Sequence, residues 1–282
     1  MAGRKRNTKK ISKKESKSKV RGGKKSASKR SFFGKIFHFL LWVVIWFFII
    51  SIGLTVIYKW VNPPVTPLMI GRALKEDASI NKTWKGLEEI SPYMVTAALA
   101  SEDNRFLGHR GFDFGAIQKA LDYNKSHSRT HGASTISQQT AKNVFLWQGR
   151  SWLRKGMEVY FTFLIERIWG KERIMEVYLN VIEMGNGIYG AEAAAQHYFN
   201  CSAKQLSAYQ AAAITACYPN PRRWNPAHPT SYIQGRISSI RRLMPKMGKV
   251  AFDKESRRKA RERYLQAEEK RIKKNGGKRI QL

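Results

Sequence analysis

The feature that most constrains this chain is a run of 23 residues, Ile36 to Tyr58, without one Asp, Glu, Lys or Arg. As a helix rising ~1.5 Å per residue it reaches about 34 Å, enough to cross a hydrocarbon core of about 30 Å. Lys35 and Lys59 close it, and Trp42, Trp46, Tyr58 and Trp60 stand where interfacial aromatics belong. A cleaved signal peptide is the rival reading, because Ser51 and Gly53 are small; its apolar stretch would be shorter. A buried core helix is disfavoured by the length and the basic flank. The run predicts a single transmembrane helix over 36–58.

Charge then gives that helix a direction. The 282 residues carry a formal net charge of +32, and it gathers at the ends. Residues 1–35 hold fifteen Lys and Arg against one acid, Glu15, and residues 246–282 hold fourteen against five. Basic residues collect on the cytoplasmic side of a spanning helix, so the amino terminus is expected inside and everything after Lys59 outside. The first 35 residues, rich in Lys, Ser and Gly, read as a disordered cytoplasmic tail. Their charge suits anionic lipid, at about 1 kcal/mol per basic residue near the surface. Nucleic acid is the alternative partner for such ends. Cys201 and Cys217 have no metal-ligand spacing and read as two small core residues, close enough to share a helical stretch.

Residues 59–80 read as a linker, extended at Pro63, Pro64 and Pro67. Beyond it the pattern is mostly helical, without internal repeats or a clear alternating strand set. Ser91-Pro92 is a helix start, with Ser as the cap and Pro in the first turn. Val95, Ala98, Leu99 and Glu102 follow on one face. An acid ending an apolar stripe is costly without a use or a partner, and desolvation of a carboxylate suits a general base or acid. A partly exposed acid at a helix end is the plainer alternative.

The next thirteen residues, Ser101 to Asp113, crowd acids, His109, aromatics and two Gly into a loop. Asp113 can cap a helix carrying Phe114, Ile117 and Leu121. Residues 126–135 form a polar loop that leads into a helix start rich in hydroxyls and amides: Ser134, Thr135, Ser137, Gln138, Gln139, then Lys142 and Asn143. Such a start offers donors to phosphate or sugar oxygens. Arg150, Arg154, Lys155 and Glu158 come next; Lys155 and Glu158 share a helical face, as surface ion pairs also do. Helices are expected at 155–169 and 171–184, a break at Gly185, Gly187 and Gly190, and small-residue helices at 191–199 and 206–217, the last ended by Pro219 and Pro221.

Several of these segments resemble one family. Glu102-Asp103-Asn104-Arg105-Phe106 with His109 and Gly111 is similar to the first motif of the peptidoglycan glycosyltransferases, the transglycosylase domain of class A penicillin-binding proteins. Gly132 to Gln139 with Lys142-Asn143 resembles the second, and Arg154-Lys155-Gly156-Met157-Glu158 the third. Glu172–Asn180 with Gly187–Phe199 resembles the fourth and Ala211–Pro221 the fifth, all in order. Ser137 stands where Thr is common, and the basic carboxy terminus lies beyond the motifs. A Ser-x-x-Lys occurs at Ser16 to Lys19, without a Lys-Thr-Gly partner, so the likeness is to the monofunctional branch.

The resemblance implies a mainly α, lysozyme-like glycosyltransferase domain with a membrane-leaning lobe over 81–245, preceded by one transmembrane helix and followed by a basic extension over 246–282. It implies polymerisation of lipid II, with inversion and release of undecaprenyl diphosphate, outside the cytoplasmic (inner) membrane. The expected partners are lipid II, the growing glycan chain on its undecaprenyl diphosphate, membrane lipids and other wall-synthesis proteins, with no nucleic acid. Glu102 is the implied catalytic base, with Glu158 assisting on the donor side by positioning the diphosphate or its metal. Ser134, Gln138, Gln139, Lys142, Asn143, Arg150, Arg154 and Lys155 are the implied substrate-binding residues. The implied cofactor is a divalent cation, Mg²⁺ or Mn²⁺, with Glu158 as its ligand. A glycan-cleaving enzyme of the same fold needs no diphosphate pocket, and a non-enzymatic scaffold explains the charge but not the motifs.

Overall fold

A computed structural model describes residues 26–76, 79–127, 132–149 and 151–274. The chain divides at residue 50 into an amino-terminal unit and a larger unit over 51–282. In the first, helix α1 (Ser26–Ile57) begins. Its stretch Gly34–Ile57 is long and apolar enough to cross a membrane, and Phe39, Trp42, Val44 and Trp46 are exposed along it. The expected disordered tail falls largely outside the described residues. Its last part, Ser26–Lys35, is helical instead, because an established helix gains a hydrogen bond for each residue it adds.

The larger unit holds ten further α-helices among its described residues. They are α2 (Pro67–Glu76), α3 (Pro92–Glu102), α4 (Phe114–Ser126), α5 (Ile136–Phe145), α6 (Trp152–Ile168), α7 (Lys171–Val181), α8 (Ala191–Phe199), α9 (Ala208–Ala216), α10 (Ser231–Met247) and α11 (Lys254–Lys274). The starts follow local capping chemistry: Ser91 accepts from Tyr93 N ahead of α3, Asp113 from Ala116 N at α4 and Ser151 from Arg154 N at α6. Thr135 and Gln138 form a reciprocal capping box at α5, as Ser207 and Gln210 do at α9. Three short strands join them: β1 (Asn81–Lys82) runs parallel to β3 (Ile188–Tyr189), which pairs antiparallel with β2 (Glu183–Gly185). Gly190 adopts φ +84°, and a Cβ there would lie 2.8 Å from Asn180 O. Only glycine lets the chain turn so closely over α7.

One layer packs α3 against α9 and α10; the other packs α5 against α6 and α7. Met94, Ala97 and Ala98 on α3 are buried, as are the alanines of α9, the helix it packs on, whose small side chains suit a close approach of the axes. Residues 59–80 are more than linker. Leu68 and Met69 are buried, and α2 packs on α5. The last turns of α1 are fixed to the same unit. Trp169 Nε1 donates to Thr55 O at 2.6 Å, and the Arg173 guanidinium donates to the carbonyls of Tyr58 and Val61.

The described part of the carboxy-terminal stretch docks on the same unit. Tyr264 of α11 is buried, Arg261 Nη1 donates to Gly108 O at 3.0 Å, and Arg105 bridges Asp113 and Glu268. Gly108 makes the docking possible, since a Cβ there would lie 2.7 Å from Tyr264 Cβ. Cys201 and Cys217 are free thiols, the first in the bend after α8 and the second capping α9, rather than on one helical stretch. Cys217 is buried at the end of α9, and burial pushes its thiol up to about 11.

Candidate active site

Where α3 ends, its last residue and the loop beyond it diverge in role. Glu102 is half-buried and lines a cleft of about 880 Å³ with Ser134, Gln139, Lys142, Tyr218 and Arg236. It is therefore not the buried acid that the stripe pattern suggested. That acid is Asp103, one residue on and 7 % exposed. Asp103 accepts from the backbone N–H of Ile136 at 3.1 Å and from His109 Nε2 at 2.9 Å. The backbone N–H of Gly111 can only donate, so His109 Nδ1 accepts it and Nε2 carries the proton toward Asp103. His109 and Phe106, both buried, shape this loop.

The first and second motifs are thus clamped together. Thr135 Oγ1 donates to Gly111 O at 2.6 Å, while Ser137 Oγ and Lys171 Nζ both donate to Glu166. Burial lowers the Lys171 pKa against the pull of Glu166, and its ammonium lies 4.3 Å from the Phe106 ring centre. The clamp leaves Gln139 facing Glu102. Gln139 Nε2 donates to Glu102 Oε2 at 2.9 Å, and Gln139 Oε1 accepts from Tyr178 Oη at 3.4 Å. Motif spacing alone gave no signal for Asp103 as anchor, nor for Glu166, Lys171 or Tyr178. Asp103 meets Ile136 across 33 residues, Glu166 meets Ser137 across 29 and Tyr178 meets Gln139 across 39, while Lys171 pairs with the nearby Glu166.

The expected binding residues separate into two groups. Ser134, Gln139 and Lys142 line the cleft. Gln138, Asn143, Arg154 and Lys155 do not. Gln138 Oε1 accepts from Thr135 N in the capping box, and Asn143 Nδ2 donates to Gln139 O. One end of each amide thus serves its own helix. Arg150 lies outside the described residues.

On α6, Glu158 is 3 % exposed and held between two cations, Lys155 at 2.5 Å and Arg154 at 3.4 Å. The Arg154 Nε is buried with no partner. Burial lowers the Lys142 pKa; Glu158 works against that, while Arg154 and Lys155 add to it. Three cations thus converge around one carboxylate, an excess of positive charge suited to an anionic group.

A divalent ion does not fit Glu158 as placed. Both of its oxygens face cations, and among the described residues no group of three or more His, Cys, Asp or Glu side chains could hold a metal. As placed, Glu158 serves Arg154 and Lys155.

A carboxylate in a cleft that Lys142 also lines, with Arg154 and Lys155 acting on that lysine, suits a class of enzyme that activates a hydroxyl and stabilises an anionic leaving group. The comparisons give that class a family. A model described as transglycosylase matches residues 70–245. The chain is 54 % identical over 214 residues to a biosynthetic peptidoglycan transglycosylase of Bdellovibrio bacteriovorus, covering 74 % of this chain and 86 % of that one. A protein of the same description from Bacteroides thetaiotaomicron is 51 % identical over 236 residues, covering 80 % and 95 %. Another, from Rhodospirillum centenum, is 51 % identical over 196 residues, covering 70 % and 85 %. The chain belongs to the peptidoglycan transglycosylase family.

Proposed function

We propose that this enzyme polymerises lipid II into glycan strands, transferring the growing chain from its undecaprenyl diphosphate with inversion at the anomeric carbon. The 4-hydroxyl of the acceptor sugar loses its proton to Glu102 as it attacks. The bond from the anomeric carbon to the diphosphate oxygen breaks, and the lipid diphosphate leaves. Gln139 holds Glu102 in place by donating to one carboxylate oxygen. That leaves the other oxygen available to the incoming hydroxyl, apart from its contact with Ser101 Oγ.

Lys142, Arg154 and Lys155 take up the charge developing on the diphosphate, with Glu158 fixing Arg154 and Lys155. Ser134, exposed at the cleft rim, donates to substrate oxygens. The observation that carries the reading is the buried, unpartnered Arg154 Nε within a cationic group next to the cleft of Glu102. A glycan hydrolase has no use for it.

The helix over Gly34–Ile57 anchors the enzyme in the cytoplasmic membrane, with the basic amino terminus inside and the catalytic unit outside. The lipid-linked substrates reach the cleft from that same membrane. The test is to incubate the detergent-solubilised full chain with labelled lipid II and resolve the products by size. A ladder of glycan chains is expected. Intact lipid II, under conditions where another polymerase makes a ladder, would overturn the reading.

A further inference from the structure

Tyr218 lies just past α9, where its ring meets Tyr178 edge-on with centroids 6.3 Å apart, and it lines the cleft with Glu102 and Arg236. The ring is partly exposed, yet its Oη is buried and has no hydrogen-bond partner. Its neighbour Tyr178 does have one, in Gln139. A buried hydroxyl without a partner is destabilising, and a folded protein holds few of them. Burial, and then Glu102, push the Tyr218 phenol well above its ordinary pKa, so it keeps its proton and remains a donor.

Its position selects what it donates to. Its ring meets that of Tyr178, the Tyr178 hydroxyl donates to Gln139, and Gln139 in turn holds Glu102. That chain of contacts sets Tyr218 beside the base. Arg236 stands on the same side, with its Nε already bound to Ala216 O at 3.0 Å, so α10 braces this wall.

We propose that Tyr218 is an acceptor-binding residue, its phenol donating a hydrogen bond to an oxygen of the acceptor sugar beside the hydroxyl that Glu102 deprotonates. The assignment rests on the polymerase reading above. It explains why an unpartnered hydroxyl is tolerated next to the base: the substrate completes it, as a site built to hydrogen-bond a ligand hydroxyl requires.

The test is Tyr218→Phe in the full chain, which removes one oxygen and keeps the ring. With no partner lost in the free protein, the variant should melt at the same temperature as wild type or a few degrees higher. Its kcat/KM for lipid II polymerisation should fall about tenfold or more. A structural hydroxyl gives the opposite pattern, lower melting temperature with activity per folded molecule unchanged, and that result would overturn the proposal. So would a variant that matches wild type in both readouts. If wild type itself makes no glycan ladder, the polymerase reading and this inference fall together; an active wild type with an equally active Tyr218→Phe sinks this inference alone.

Discussion

Gln139 Nε2 donates to Glu102 Oε2 across 2.9 Å, joining the helix of the second motif to the last residue of α3. The two residues are 37 apart in sequence. The bond holds the carboxylate toward the cleft on a rigid helix end rather than on a loop.

Replacing the base tests this arrangement most directly. Glu102→Gln keeps the shape and removes the proton acceptor, so polymerisation should fall by about 10²–10⁴-fold, the usual contribution of a general base. Binding of a labelled diphosphate lipid should stay within about threefold of wild type, because the cationic cluster is untouched. Gln139→Ala should lower kcat about tenfold without removing the base. Near-normal turnover in Glu102→Gln would show that another group takes the proton.

The anchor beneath the base has a stability signature. Asp103 is buried and satisfies both His109 and the Ile136 N–H. Asp103→Ala leaves two buried donors unpaired and should cost about 3 kcal/mol. Denaturant unfolding of the detergent-solubilised chain would measure it, and a loss under about 0.5 kcal/mol, the scale of a surface substitution, would contradict the clamp.

Lys142 should govern the alkaline side of the activity profile. Its pKa is lowered by burial, so the folded state gives up that proton before the unfolded state does. Between the lowered value and 10.5 the unfolded chain binds more protons, and this lysine's contribution to stability rises with pH. Activity moves the other way, because a neutral lysine cannot balance the diphosphate. A falling alkaline limb is expected below the ordinary lysine range in wild type. Lys142→Arg should shift it upward; an unmoved limb would assign it to another group, Lys171 being the next candidate.

The cationic group can be examined apart from the base. Lys155→Ala should weaken binding of a diphosphate lipid by about tenfold, the value of one lost charge-assisted bond. Because Glu158 is occupied by Arg154 and Lys155, Glu158→Gln should lower activity without changing the Mg²⁺ concentration that gives half-maximal residual rate. A clear shift in that concentration would restore Glu158 as a metal ligand.

Local rules in the sequence determined much of this protein. The apolar run, the Ser91-Pro92 start, the Asp113 cap, the breaks at Gly185, Gly187 and Gly190 and the helix at 191–199 each depend on neighbouring residues, so they were legible without the fold. The ordered motifs likewise pointed to Glu102, Lys142, Arg154, Lys155 and Glu158 as candidates. Tertiary structure decided what spacing cannot encode. It gave Asp103 rather than Glu102 the buried place, turned Gln138 and Asn143 inward to the helix, and seated α11 on Gly108. It also left the Tyr218 Oη unpartnered beside the cleft that Glu102 lines. Whether a polar group is satisfied depends on partners brought in from tens of residues away, and only the packed fold supplies or withholds them.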